Sequence, residues 1–271
     1  ESFRKFIFSF TDQGGNELCL RPDLTIVSCL RYLENNLKGK EKIFYNGQAY
    51  RKSENKKDSI VRNQVGFEII GSRNEKNDDK EIINTSLKSL KNFNYSSGEI
   101  TIGNVEIFNL LISKLDIPKR WKLRLSRHFW REDYFNDLLK RLETNSDVDP
   151  TIVEIDKKRY FRMLKDDQST IIANRTINEI LSRFDKKIKD PRRPSKGRNI
   201  SKIIKEFLKI KCPINNAAKV LNKFFKKYKI NLLVDQRYFP ISKNKINKLN
   251  VTFSAAFGRQ LEYYTGMVFK I

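Results

Sequence analysis

The chain is poor in cysteine and has almost no histidine. Three cysteines, Cys19, Cys29 and Cys212, and a single histidine, His128, occur among 271 residues. The cysteines are odd in number and no two are spaced as C-x-x-C, which excludes a disulfide framework and a Cys/His zinc site. We therefore expect free thiols, no bound metal and a reducing, cytoplasmic location.

Long apolar runs and glycine-rich phosphate loops are also missing. No apolar run approaches the roughly 20 residues that span a bilayer, so we expect no membrane contact. Without a Gly-rich loop to cradle a phosphate, no cofactor is expected either. A hydrophobic content of 39% with 11% aromatic residues is nevertheless typical of a folded chain with one large or two modest domains. The chain opens at Glu1 and breaks off at Ile271 inside strand-like patterns, so we expect both ends to be truncated.

Acidic residues are scarce relative to basic ones. Lys and Arg number 55 against 32 Asp and Glu, a formal net charge of +23. Such a charge favours contact with phosphates or anionic surfaces. The lysines are scattered rather than gathered into one motif, however, and the richness in Lys, Asn and Ile is also typical of an AT-biased composition. One continuous basic groove would favour nucleic-acid binding and a speckled surface would not; we expect no nucleic-acid partner.

The segment 61–71 (VRNQVGFEIIG) predicts a strand with two different faces, because side chains of an extended chain alternate. The face expected to be mostly core carries these residues: Val61, Asn63, Val65, Phe67 and Ile69. On the opposite face Gly66 leaves a gap between Gln64 and Glu68, which stand roughly 13 Å apart at about 3.3 Å per residue. That spacing suits the two ends of a small zwitterion. The alternative is a half-exposed antiparallel strand with a solvated face.

Hydrophobic spacing predicts the other elements of the chain. A helix starts at Pro22, with a stripe expected to be buried: Leu24, Val27, Leu30, Leu33 and Leu37. Further helices are predicted at 78–92, 105–115 and 217–229. Strands are predicted at 6–10, 17–20, 42–51, 99–102, 230–234, 251–257 and 263–271. The turn 12–16 joins the first two strands, and the charged loop 52–59 joins 42–51 to 61–71 as a hairpin.

Residues 118–208 show helical patterns and no strand. Within them Pro191, Pro194, Ser195 and Gly197 mark a basic linker, interpreted as a solvated connector or as a phosphate-binding patch. Strands at both ends around a helical block predict an α+β core, 1–117 and 209–271, that carries a helical insertion at 118–208.

Four motifs occur in the order seen in histidyl-tRNA synthetase. They are 20–25 (LRPDLT), 50–51 (YR), 64–68 (QVGFE) and 259–266 (RQLEYYTG). Two further segments, 10–25 and 118–129 (PKRWKLRLSRHF), resemble a paralogue of that enzyme, the regulatory subunit of short-form ATP phosphoribosyltransferase. The resemblance covers nearly the whole chain. It implies a class II aminoacyl-tRNA synthetase-like fold, a mostly antiparallel sheet flanked by helices.

The resemblance also implies a histidine-binding pocket. Asp23, Thr25 and Gln64 would hold the amino group, while Glu68 and Tyr264 would hold the imidazole. An ammonium needs anionic or carbonyl acceptors and an imidazole needs partners for both ring nitrogens, so these residue types fit the ligand.

Two arginines complete the implied site. Arg259 would face the carboxylate of histidine or a phosphate, and Arg51 is a possible phosphate or anion contact. Structural alternatives stay open for the set: Asp23 as a charge in the first turn of a helix, Tyr264 as a core aromatic, and Arg259 as a surface charge in a turn.

Departures from the synthetase pattern bear on the function. The synthetase has glutamate two places after the arginine at 51, where this chain has Ser53, and Arg62 replaces the aromatic that would stack on adenine. Losing nucleotide-side contacts while keeping the amino-acid side implies a sensor with no catalytic residue of its own.

The resemblance therefore implies a regulatory role in histidine biosynthesis. The expected partner is the catalytic subunit of short-form ATP phosphoribosyltransferase, with this chain as a homodimer within the hetero-oligomer and histidine as the effector. The alternatives are a partial histidyl-tRNA synthetase and an RNA-binding paralogue with the basic stretch 183–209 as its footprint.

Overall fold

The computed structural model describes residues 6–53, 59–95, 97–144, 150–165, 171–172, 175–188, 194–239, 249–258 and 264–271. The chain divides into two compact units, Glu1–Phe93 and Asn94–Ile271. None of the helices in the described ranges is long and apolar enough to cross a membrane.

Unit 1 consists of two antiparallel strand pairs and two helices. Its elements in chain order are β1 (Ser9–Thr11), β2 (Glu17–Cys19), α1 (Thr25–Glu34), β3 (Glu41–Tyr50), β4 (Val61–Ile70) and α2 (Glu75–Asn92). The predicted hairpin of β3 and β4 is confirmed, with Tyr45 opposite Gly66 and Ile43 opposite Glu68. Part of the loop predicted between these strands, 54–58, lies outside the described residues.

The two faces of β4 do not divide into core and solvent as predicted. On the face expected to be core, Val61 and Val65 are exposed, and Phe44 on the neighbouring strand is 67% exposed. Phe67 and Ile69 on that face are half-buried, and so are Gln64, Gly66 and Glu68 on the opposite face. Alternation predicted which side chains share a face, but it could not say which face the chain covers.

The apolar stripe of α1 is also not buried as predicted. Leu24 is buried, but Val27, Leu30, Leu33 and Leu37 are exposed. Helical spacing identifies an apolar stripe without identifying what lies against it. In this chain the stripe is a surface feature.

Unit 2 contains a four-stranded sheet and most of the helices. Its elements are β5 (Gly98–Asn104), α3 (Val105–Lys114), α4 (Lys119–Arg127), α5 (Glu132–Thr144), α6 (Pro150–Met163), β6 (Ile171–Ile172), β7 (Arg175–Thr176), α7 (Ile177–Ile188), α8 (Pro194–Leu208), β8 (Lys211–Pro213), α9 (Ala217–Lys227), β9 (Leu249–Ser254) and β10 (Met267–Lys270). The sheet order is β10-β5-β9-β8, in which β5 and β9 are parallel and the other neighbours antiparallel.

The core of unit 2 lies where α3, α5 and α8 meet. Phe108 stacks on Phe129 with ring centroids 3.8 Å apart and meets Phe135 edge-on at 5.8 Å. Helix α3 begins after β5 because Asn104 caps it, its Oδ1 accepting the backbone N–H of Glu106 at 2.9 Å. The ring contacts pack α3 against the segment 129–135, and the cap sets where α3 follows β5.

The prediction for 118–208 is correct for its helices but wrong on two points. The two-residue strands β6 and β7 pair within it. The predicted linker is wrong from Pro194 onward, where α8 begins, while Pro191 lies outside the described residues. A Cβ on Gly197 would lie 1.9 Å from the carbonyl oxygen of Leu142. Gly197 therefore permits close packing of α8 against α5 rather than marking a flexible connector.

The strand predicted at 230–234 is absent, and β8 was missed. The reason for the first lies in α9. Asn222 accepts the N–H of Val234 with Oδ1 at 2.9 Å and donates Nδ2 to its carbonyl at 2.7 Å. One side-chain amide thus satisfies the backbone groups that a strand partner would otherwise take.

Candidate functional site

Three side chains of unit 1 meet where α1 begins. Thr25 Oγ1 donates to Oε1 of Glu68 at 2.9 Å, and the hydroxyl of Tyr45 donates to the same oxygen at 3.0 Å. The two hydroxyl oxygens lie 3.0 Å apart. Hydrogen bonds to an ionised carboxylate are among the stronger ones in proteins, so this group is well positioned to hold Glu68 in one orientation.

The gap predicted at Gly66 is filled by the chain itself. A Cβ on Gly66 would lie 2.1 Å from Cζ of Tyr45, so the tyrosine ring crosses directly over this glycine. Gly66 is thus needed for the close approach of the ring to β4. Tyr45 is not among the residues predicted from the sequence; its position opposite Gly66 in the hairpin register is the signal that could have identified it.

Asp23 is 4% exposed and serves the helix as well as the site. Its Oδ1 accepts the backbone N–H of Ile26 at 3.1 Å, which satisfies a donor at the start of α1. Its Oδ2 lies 3.9 Å from Nη2 of Arg51, whose Nε donates to the carbonyl of Pro22 at 2.6 Å. Asp23 therefore does have a structural role at the start of α1, the alternative considered from the sequence. Arg51 contacts both Asp23 and the backbone of Pro22.

Gln64 is tied to the same turn. Its Oε1 accepts the backbone N–H of Leu24 at 3.0 Å. Five of the predicted site residues therefore lie at the start of α1: Asp23, Thr25, Arg51, Gln64 and Glu68. Their side chains include two carboxylates, a hydroxyl and an amide, groups that suit a cationic or N–H-donating ligand.

The pKa values of Cys29 and Tyr45 reflect burial and the nearby negative charges of Glu68 and Asp23. Burial, then the charges of Glu68 and Asp23, raises the pKa of the Cys29 thiol above 9.0. Burial is also the largest cause that raises the pKa of Tyr45 above its ordinary value; the contact with the Thr25 hydroxyl opposes this shift and the charge of Glu68 adds to it. Tyr45 therefore remains a protonated donor at neutral pH.

The two remaining predicted residues belong to the other part of the chain. Tyr264 lies in unit 2, at 36% exposure just before β10. Arg259 lies outside the described residues. In the described ranges no three His, Cys, Asp or Glu side chains are grouped as a metal site would require.

Comparison with protein families matches the whole chain, residues 1–271, to the model described as histidyl-tRNA synthetase. The chain belongs to the histidyl-tRNA synthetase family. The motifs around Asp23, Gln64 and Glu68 are thus placed within a family match that covers every element of both units.

Curated relatives of this family member share one name. The "ATP phosphoribosyltransferase regulatory subunit" of Sinorhizobium fredii (strain NBRC 101917 / NGR234) is 26% identical over 291 residues, covering 100% of this chain and 76% of the relative. The protein of the same name from Agrobacterium fabrum (strain C58 / ATCC 33970) is 26% identical over 290 residues, with the same coverage. The chain thus spans about three quarters of the length of these relatives.

Solved structures confirm the predicted fold. The ATP phosphoribosyl transferase (HisG:HisZ) complex from Thermotoga maritima contains a chain with a TM-score of 0.51 and 19% identity, covering 97% of this chain and 74% of that one. A structure from Bacillus halodurans C, titled as an ATP phosphoribosyltransferase regulatory subunit/histidyl-tRNA synthetase, has a TM-score of 0.50 and 20% identity. The match covers 98% of this chain and 57% of that one. The α+β, synthetase-like fold is therefore that of the family.

Proposed function

We propose that this chain is a non-catalytic regulatory subunit of ATP phosphoribosyltransferase that activates the catalytic subunit and transmits histidine feedback. Two curated relatives that match along the whole chain carry the name of such a subunit. The resemblance of segments 10–25 and 118–129 supports the same role. Because the catalytic chemistry would belong to the partner, the chain itself is expected to lack transferase activity.

The main observation is a difference between two sets of residues. Those expected to bind the amino acid are held by hydrogen bonds, whereas positions expected to contact a nucleotide carry other residue types. Glu68 is held by two hydroxyls, and Asp23 and Gln64 are bonded at the start of α1. Arg62, by contrast, stands exposed where the synthetase pattern has an aromatic. Retained acceptors for an ammonium and an imidazole support sensing of histidine.

Assembly is supported by the exposed apolar side chains of unit 1. Leu30 and Leu33 on α1 are 50% and 66% exposed, and Phe44 on β3 is 67% exposed. Leu30 and Leu33 share one face of α1, and exposed apolar patches often mark subunit contacts. We place the chain in the cytoplasm as a homodimer within a hetero-oligomer, with histidine as the effector.

Feedback requires histidine to bind two assembly states with different affinity. A coupling free energy of about 1–3 kcal/mol is typical of such regulation. Histidine bound beside Glu68 would then shift the complex between more and less active arrangements.

The test is to mix the purified chain with the catalytic subunit. We expect a complex of higher mass by sedimentation, higher transferase turnover than for the catalytic subunit alone, and inhibition of that turnover by histidine. Unchanged mass and turnover would contradict the regulatory function.

A second candidate, a partial histidyl-tRNA synthetase, is favoured by the family model itself. It predicts histidine-dependent exchange between ATP and pyrophosphate by the isolated chain. The regulatory proposal predicts no exchange, so this assay separates the two functions.

A further inference from the structure

The hydroxyls of Thr25 and Tyr45 both donate hydrogen bonds to one oxygen of Glu68. Each lies within 3.0 Å of Oε1. Among the residues that the structure describes, no hydrogen bond is made to Oε2 of Glu68. One oxygen of the carboxylate is thus saturated from within the chain, while the other still has its acceptor capacity.

The ring of Tyr45 is itself fixed in place. It lies against the backbone of β4 at Gly66, where a side chain would overlap it. Its hydroxyl is therefore presented from a position set by the hairpin register, because Tyr45 and Gly66 are direct partners across β3 and β4. A fixed donor on Oε1 restricts rotation of the carboxylate, and less entropy is then lost when a ligand binds to Oε2.

We propose that Tyr45 is a positioning residue for the ligand pocket: by holding Oε1 of Glu68, it leaves Oε2 for the ring N–H of a bound histidine and so sets selectivity for an imidazole. This inference rests on the proposed function, in which histidine binds beside Glu68. It assigns to Tyr45 a role in selectivity rather than direct contact with the ligand.

The experiment compares two amino acids on the full chain by calorimetric titration. The first is L-histidine; the second is β-(2-thienyl)-L-alanine, which has a five-membered ring without an N–H group. In Tyr45→Phe we expect histidine to bind about 3- to 10-fold more weakly, as for one lost hydrogen bond, and thienylalanine to bind as in the wild-type chain. The ratio of the two affinities should therefore fall, which a general loss of packing would not produce.

Tyr50→Phe is the matched control. Tyr50 lies on the same strand, and its hydroxyl donates to Oε1 of Gln48 at 3.0 Å instead of to Glu68. It should leave the ratio unchanged. Thr25→Val removes the other hydroxyl on Oε1 and should lower the ratio as Tyr45→Phe does, so the inference is tested even if one variant folds poorly.

An unchanged ratio in folded Tyr45→Phe, or tighter histidine binding by that variant, would overturn the positioning role; if Tyr45→Phe does not fold, an unchanged ratio in Thr25→Val would do so. Tighter binding would mean that Tyr45 competes with the ligand for Glu68. If the wild-type chain binds no histidine, the proposed histidine pocket itself is wrong. If the wild-type chain binds histidine but Tyr45→Phe leaves the affinity ratio unchanged, only the role of Tyr45 is wrong.

Discussion

Glu68 illustrates how a single residue acquires its role from three elements. The carboxylate stands on β4, one of its hydroxyl donors begins α1 and the other comes from β3. Sequence resemblance could suggest Glu68 as an imidazole partner. Only the register of the hairpin shows that Tyr45 shares the carboxylate and explains why position 66 is glycine.

The contribution of Glu68 to ligand binding can be measured through the affinity of the chain for histidine. Glu68→Gln removes the charge while keeping the shape of the side chain. We expect histidine binding to weaken by about 1.5–3 kcal/mol, as for a lost charged hydrogen bond, in calorimetric titration. Glu41→Gln, a carboxylate lost from β3 of the same hairpin, serves as the control. Equal affinities for the wild-type chain and Glu68→Gln would remove Glu68 from the site.

Cys29 reports on the same charges through its pH dependence. Its pKa is raised above 9.0 first by burial and then by Glu68 and Asp23, so the thiolate form is scarce at neutral pH. Removing a negative charge stabilises a thiolate, and Glu68→Gln should therefore move the pH profile of Cys29 alkylation to lower pH, as followed by mass spectrometry. Burial alone raises the pKa of Cys212, so its profile should not move in the same variant. A Cys29 profile that stays in place would mean that the thiol does not sense Glu68.

Among the elements, α8 shows most clearly how a local signal can mislead. A segment with prolines, a serine and a glycine is typical of a connector, yet here the helix begins at Pro194, a residue that suits a first helical turn. Gly197 lies one turn further on, against the backbone of α5. The glycine serves the contact between two helices that are far apart in the sequence.

Gly197→Ala tests this contact. Elsewhere in a helix, alanine is more favourable than glycine by about 1 kcal/mol. Here the added methyl group would overlap the carbonyl of Leu142, and we expect the free energy of unfolding to fall by about 1–3 kcal/mol in denaturant titration, as for an overpacked site. Asn199→Ala, at an exposed position of the same helix, should be neutral or slightly stabilising. A stabilised Gly197→Ala would contradict close packing of α8 on α5.

For the molecule as a whole, the apolar residues are divided unequally between the two units. Within the described part of unit 1 the buried apolar residues are Leu24, Ala49 and Ile83, whereas unit 2 buries a large cluster that includes Phe108 and Trp121. The other described apolar side chains of unit 1 are exposed or only half-buried. Burial is the main favourable contribution to folding, so unit 1 has the most to gain from a further surface.

Association of the chain should therefore depend on α1. Leu33→Asp replaces a 66% exposed apolar side chain with a charge, and we expect it to lower the assembled mass in sedimentation or to weaken binding of the catalytic subunit. Leu233→Asp makes the same replacement at a 75% exposed position in unit 2 and should leave both unchanged. Full assembly of Leu33→Asp would show that the stripe is not an interface.

The sequence by itself determined many of the local elements and the family. Strands β3 and β4 lie within a residue of their predicted bounds, and α3 ends one residue short of its own, because alternation and helical spacing are properties of neighbouring residues. The order of the motifs around Asp23, Gln64 and Glu68 likewise indicated the family that the whole chain matches.

Only the tertiary structure decided which faces are covered and how the polar residues share partners. Tyr45 over Gly66, Asn222 in place of a strand beside Val234, and Gly197 against Leu142 all join segments distant along the chain. The exposure of the apolar stripe of α1 also depends on the tertiary structure. Periodicity specifies which side chains point together, but burial and hydrogen bonding depend on what the fold brings opposite them.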